Sequence, residues 1–223
     1  MKKEPVIDAV RFHFDPICPW CYQTSRWAKR VEQLGEIELD WGLFSLEVVN
    51  LKDGADPREL QARSGPALRT ATLIRERKGG GAIGPFYTAL GKRIWEQSPP
   101  EQDMATAVRG ALEEVGLDVE WCDEALSDPG SWEAVLDEHQ ALIERTRSFG
   151  VPTIVLDGGI GPAIFGPVIS ELPSDEDAVD LWRHVSWLAR YDNFAELKRD
   201  RIKAPDLPAM TWYRAQREAD RST

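Results

Sequence analysis

Cys18 and Cys21 are the residues of this sequence best placed to do chemistry. They stand in Cys18-Pro19-Trp20-Cys21, so on a helix they lie nearly one turn apart on the same face. The nucleophile in disulfide exchange is the thiolate. A cysteine at a helix start meets unpaired N–H groups and the positive end of the helix dipole, and both favour that form. Cys18 is therefore expected to attack, with a pKa below the ~8.5 of a free thiol. Cys21, inside the first turn, is expected to resolve the mixed disulfide. Pro19 suits the first turn, where its missing N–H does no harm. Trp20 offers an apolar lid over the pair. A structural zinc site is the competing use of this spacing, but it normally takes four ligands. The remaining candidates, Cys122, His13, His139 and His184, are scattered, so no metal is expected.

Those roles need a strand that ends just before Cys18 and a helix that starts there. Val6–Asp15 alternates Val10, Phe12 and Phe14 with Arg11 and His13, which is a strand pattern that Pro16 ends. After it, Tyr22, Trp27, Ala28, Val31 and Leu34 fall near a 3.6 period, and Gly35 stops that helix. Glu36–Val49 reads as a second strand, parallel to the first because a helix connects them. From about Asp56 to Ser148 the segments are helical, with a break or kink expected at Gly65-Pro66 and Ser131 as an N-cap. Val151–Gly159 and Ala163–Ser170 read as a β-hairpin. Ser174 and the acidic residues behind it open a helix with Val179, Trp182 and Val185 on its apolar face. The tail after Lys203 reads as polar and interrupted by proline. Neither end of the chain has enough strands to bury its faces alone, so both must share one sheet. The expected architecture is an α/β domain of residues 1–55 and 149–223 with an all-helical insertion, 56–148, over the Cys18 end of the sheet.

The formal net charge of −11 repels phosphate backbones, so nucleic acid is not an expected partner. No stretch approaches the about 18 apolar residues of a membrane span. MKKEPVIDAVRF has no apolar run of the kind a secretory signal needs. Three cysteines argue against a disulfide framework. Together these features lead to the expectation of a cytoplasmic protein. Gly79 to Gly84 formally matches GxGxxG, but the charged, helical LIRERK precedes it where a dinucleotide site needs a strand. It reads as a flexible inter-helix loop. Of the nine tryptophans most are expected in the core, with Trp95 a candidate for a pocket wall. Cys122 is expected to be buried and His13 to be packed. Asp15 is close enough to the motif to influence the pair or a proton path, while His139 and His184 read as ordinary helix residues.

The segments FHFDPICPWCYQTSRW, GVPTIVLDG and IFGPVIS…LWRHV resemble the thioredoxin superfamily, in its DsbA-like branch. They are most similar to the actinobacterial, mycothiol-using group that includes a mycothiol-dependent nitroreductase. The resemblance covers both ends of the chain and only the helical character of the middle. It implies a thioredoxin-like fold and a thiol–disulfide oxidoreductase with no tightly bound cofactor, and with mycothiol or a similar thiol as co-substrate. It also implies a small-molecule or protein disulfide substrate, with a low-molecular-weight thiol or a small redoxin as reductant. Pro152 is implied to be a cis proline facing Cys18, with the Val151 backbone turned toward the site. The sequence departs from the secreted DsbA enzymes in carrying Pro-Trp rather than Pro-His between its cysteines. Because an indole carries no charge, this favours a reductase or thiol-cofactor enzyme over a strong oxidant. Two alternatives stay open. One is an enzyme like glutathione transferase kappa or 2-hydroxychromene-2-carboxylate isomerase, on the same fold and without need of a second cysteine. The other is a non-catalytic zinc or binding protein.

Overall fold

The alternation that ends at Pro16 builds β1 (Asp8–Phe14), and the Pro19 start and amphipathic spacing build α1 (Pro19–Gln33). Residues 7–221 are described by the computed structural model, so Val6 of the expected first strand lies outside them. β2 (Ile37–Leu43) returns parallel to β1, with Phe12 opposite Trp41 and His13 opposite Gly42. This strand is shorter than the sequence suggests. After Phe44 the chain turns at Ser45, whose Oγ accepts the Val48 N–H and so caps a short helix, α2 (Leu46–Val49).

The described elements between β2 and the next strand are all helical. α3 (Gly65–Lys78), α4 (Ile83–Gly91), α5 (Met104–Glu114), α6 (Trp121–Ser127) and α7 (Pro129–Thr146) follow one another, with a π-helical turn at Lys92–Glu96. Gly65-Pro66 does not break a helix but begins one, since a proline in the first turn removes only an N–H that has no helical partner. Ser131 does not cap α7: the Asp128 side chain does, accepting from the Gly130 N–H, and Ser131 lies inside the helix. Gly79 ends α3 at a φ of 86°. The glycines after it form a tight turn against β2, where a Cβ on Gly80 would sit 2.6 Å from Asp40 Oδ1.

β3 (Thr153–Val155) and β4 (Ala163–Phe165) form the expected hairpin, and the sheet order is β2-β1-β3-β4 with β3 antiparallel to both neighbours. α8 (Asp175–Arg190) is capped by Ser174 and packs on α1. There Trp27 meets Trp182 at 6.3 Å and donates its indole N–H to Ala178 O. The tail holds a further helix, α9 (Pro208–Asp220), that the proline-interrupted pattern hides. The sheet and the helical block share one continuous core. Phe14 of β1 stacks on Tyr87 of α4 at 4.0 Å, and both are buried. The observed class is α/β, as the pattern of elements indicates.

Candidate active site

β1 runs out at Phe14, and the turn Asp15-Pro16-Ile17 delivers Cys18 to the N-cap position of α1. The turn is held from inside: Asp15 Oδ1 accepts the Ile17 N–H at 3.0 Å, and Asp15 O accepts the Cys18 N–H at 3.1 Å. It is held from outside by the helical block. Trp95, taken from sequence as a possible pocket wall, is buried and donates its indole N–H to Pro16 O at 2.9 Å. The helices following β2 therefore reach the Cys18 end of the sheet.

As an N-cap, Cys18 Sγ accepts the Cys21 N–H at 3.3 Å, so the sulfur sits where a helix start concentrates its unpaired donors. Its thiol donates across the site to Val151 O at 3.7 Å. The Val151–Pro152 peptide is cis, and the Val151 carbonyl stands opposite the sulfur. Cys21 lies one turn deeper, and its thiol donates to His13 O at 3.8 Å. Both cysteines are free thiols. Cys18 retains 7% exposure and Cys21 none, so only the first sulfur is open to a partner.

The expected depression of the Cys18 pKa is not what this geometry gives. Burial pushes the Cys18 thiol up to about 11, outweighing the Cys21 and Trp20 N–H groups and the Arg201 charge, which act the other way. The nearby Asp15 carboxyl raises it further. A thiol closed in to this degree loses more hydration of its anion than a helix start returns. Cys21 is pushed well above the ordinary range, first by burial and then by Cys18.

Asp15 is fully buried, and burial raises its carboxyl to about 7 against the Leu46 and Ile17 N–H groups that favour its charge. Its Oδ2 accepts the Leu46 N–H at 2.7 Å, which ties α2 to the turn before the motif. Trp20 is half-buried, with the Arg201 guanidinium 5.3 Å from its ring centroid. His13 is packed as expected. Its ring faces Gly42, and burial, reinforced by Arg11, lowers its pKa to about 3, so it stays neutral.

Two contributors escaped the sequence reading. The Tyr87 hydroxyl of α4 is buried beside the Cys21 thiol and has no other hydrogen-bond partner among the described residues. No periodicity marks it, because a tyrosine in an apolar helix reads as core. Arg201 stands in the polar tail, whose path over Trp20 only the fold reveals. His139 is not an ordinary helix residue: it is buried, and its Nδ1 accepts the Ser45 N–H at 3.2 Å. His184 is exposed and bonds only within its own helix. Cys122 is buried, as expected.

Among the described residues no group of three or more His, Cys, Asp or Glu could hold a metal ion. No described helix is long and apolar enough to cross a membrane. A depression of about 630 Å³ lies in the helical block near Leu60, Arg69 and Trp132, and none of its lining residues belongs to the motif.

Comparison with known proteins bears on the fold and the family. Among solved structures, the cytosolic disulfide reductase DsbM from Pseudomonas aeruginosa is 14% identical, with a TM-score of 0.54 over 81% of this chain and 99% of that one. A structure titled probable DsbA oxidoreductase SCO1869, from Streptomyces coelicolor, is 18% identical, with a TM-score of 0.54 over 90% and 97%. A 2-hydroxychromene-2-carboxylate isomerase is 17% identical, with a TM-score of 0.55 over 82% and 96%. At these identities the three share the thioredoxin-like fold with this chain. A Mycobacterium tuberculosis protein, "Uncharacterized protein Rv2286c", is 36% identical over 197 residues, which is 87% of this chain and 83% of that protein. Residues 17–199, which contain both cysteines, Val151 and Pro152, match the Rv2466c-like family, described as "Mycothiol-dependent nitroreductase Rv2466c". With its thioredoxin-like fold and with this match along most of its length, the chain belongs to the Rv2466c-like family.

Proposed function

We propose that the protein is a thiol–disulfide oxidoreductase whose Cys18–Cys21 pair cycles between dithiol and disulfide, with mycothiol or a similar low-molecular-weight thiol as reductant. One observation carries the reading: Cys18 Sγ takes the Cys21 N–H while facing Val151 O beside a cis proline. A disulfide substrate laid along Val151 would present a sulfur to Cys18 there. The Cys18 thiolate attacks that sulfur, forming a mixed disulfide and releasing one substrate thiol. Cys21 then gives up its proton and attacks Cys18, releasing the second substrate thiol and closing the Cys18–Cys21 disulfide. Two reductant thiols restore the dithiol and leave as their own disulfide. Asp15, raised to about 7, exchanges a proton in the working pH range and serves as the proton acceptor behind the pair. Pro19 fixes the turn between the sulfurs, and Trp20 shields them. The reducing cytoplasm suits a pair that must return to thiols. The block 56–148 acts as a cover that holds the motif in place through Trp95 and Tyr87.

The isomerase shares the fold, but a buried second cysteine within reach of the first favours dithiol cycling here. The test is trapping. Cys21→Ser should accumulate a mixed disulfide with mycothiol disulfide or with a protein substrate, identified by mass, and Cys18→Ser should form none. Equal trapping by both variants would overturn the assignment.

A further inference from the structure

Trp20 fills the position between the cysteines where a charged side chain would best steady a thiolate, and an indole carries no charge. The structure brings a charge there from elsewhere. The segment between α8 and α9 passes over the motif and sets the Arg201 guanidinium 5.3 Å from the centre of the Trp20 ring. A cation over an indole face is held by the ring quadrupole. Among the described residues no carboxylate lies within salt-bridge distance of Arg201, whereas Lys203, two residues on, is paired with Glu171 at 3.0 Å.

The position of Arg201 is set by bonds that lead back to the helix of the cysteines. Ser170 is the hub. Its Oγ donates to Lys203 O at 3.1 Å, and its carbonyl accepts the Asp206 N–H at 2.8 Å. The same carbonyl accepts from Gln23 Nε2 at 3.0 Å, and Thr24 Oγ1 donates to Pro167 O at 2.9 Å. Gln23 and Thr24 are buried on α1, directly after Cys21 and Tyr22. Beyond Asp206, Leu207 and Ala209 are buried and anchor the far end. The tail is thus fastened to the element that carries the dithiol, just beyond the residue that faces it.

We infer that Arg201 is a positioning residue for the nucleophile: seated on Trp20, it supplies from the tail the positive charge that favours the Cys18 thiolate. The inference rests on Cys18 being the attacking sulfur. The other groups facing Cys18 are Asp15, Cys21 and Tyr87, and none of them brings a positive charge. Arg201 lies beyond residue 199, where the family match ends.

The experiment measures alkylation of Cys18 by iodoacetamide against pH in the Cys21→Ser background, with and without Arg201→Gln. Charge at an exposed position acts through a high effective dielectric, so the expected rise in the Cys18 pKa is about half to one pH unit, or about three- to tenfold less thiolate at a given pH below it. Arg201→Lys should restore most of the difference. Raising the salt to 1 M should shrink it, because exposed charges are screened over about 3 Å there. A structural role for the arginine would move neither the salt dependence nor the lysine rescue. A pH profile unchanged by Arg201→Gln overturns the inference, as does a shift that lysine does not rescue and salt does not reduce. A Cys18→Ser protein whose remaining Cys21 thiol is alkylated as fast, at the same pH, as Cys18 in the Cys21→Ser protein would instead overturn the assignment of the nucleophile, so the two failures are distinct.

Discussion

Replacing Asp15 with asparagine tests how the buried carboxyl works, because its effect on stability should change sign with pH. In the folded protein the carboxyl keeps its proton up to about pH 7, and in the unfolded chain only up to 3.8. The native state therefore binds the extra proton between those values. Its stability is fully present below 3.8 and falls as pH rises toward 7. The interval corresponds to about 4 kcal/mol. A side-chain amide carries no charge at any of these pH values, so Asp15→Asn removes that loss. The amide nitrogen cannot replace Oδ2 as the acceptor for the Leu46 N–H, however, and an orphaned buried N–H costs about 1–3 kcal/mol. The variant should be less stable than the parent by about 1–3 kcal/mol at pH 4 and more stable by a similar amount at pH 8. Urea unfolding of both proteins, fully reduced, from pH 4 to 8.5 gives the difference directly. His13 and His139 titrate in the same interval with the opposite sign, since both have lowered pKa values in the fold, and the difference between the two proteins cancels them. A difference that stays constant across the range would refute the buried-carboxyl reasoning and remove Asp15 as a proton acceptor for the pair.

Three further outcomes follow from named contacts. Gly42→Ala would place a Cβ 2.3 Å from the His13 ring, and overpacking of this kind should cost about 1–3 kcal/mol in urea unfolding. His139→Ala should destabilise the protein by about 1–3 kcal/mol, because the Ser45 N–H loses its acceptor, whereas His139→Phe at similar volume should cost as much and so separate the bond from the packing. In the parent protein the buried, neutral His13 makes stability fall as pH drops from 6.5 toward 3, seen as a declining Tm in acid that a His13→Gln variant should lessen.

Much of the site was legible because its parts are local. Alternation in β1, Pro16, and Pro19 in a first turn are all written within about fifteen residues, and they put Cys18 at a helix start without any long-range knowledge. The hairpin and the Ser174 cap were readable for the same reason. What was missed depends on distant partners. β2 stops at Leu43 because Ser45 finds His139 and Leu46 finds Asp15, pairings across 94 and 31 positions. Arg201 and Tyr87 approach the pair from segments whose own patterns say only tail and core. The Cys18 pKa was misjudged because a helix start is visible in sequence, whereas the degree of closure over it is not.

The bond from Trp95 to Pro16 also bears on how the protein can be watched. It ties an indole to Pro16, two residues before Cys18, while Trp20 lies between the cysteines in the chain, so two of the nine tryptophans stand by Cys18 and Cys21. An excited indole gives up an electron to a nearby disulfide far more readily than to a thiol. Oxidation of the pair to a disulfide should therefore dim emission from inside the molecule, with no dye attached. Trp95, being buried and held by its N–H, should emit to the blue of the half-exposed Trp20. If the pair cycles as proposed, the protein carries an optical gauge of its own oxidation state, calibrated with the Trp20→Phe and Trp95→Phe variants.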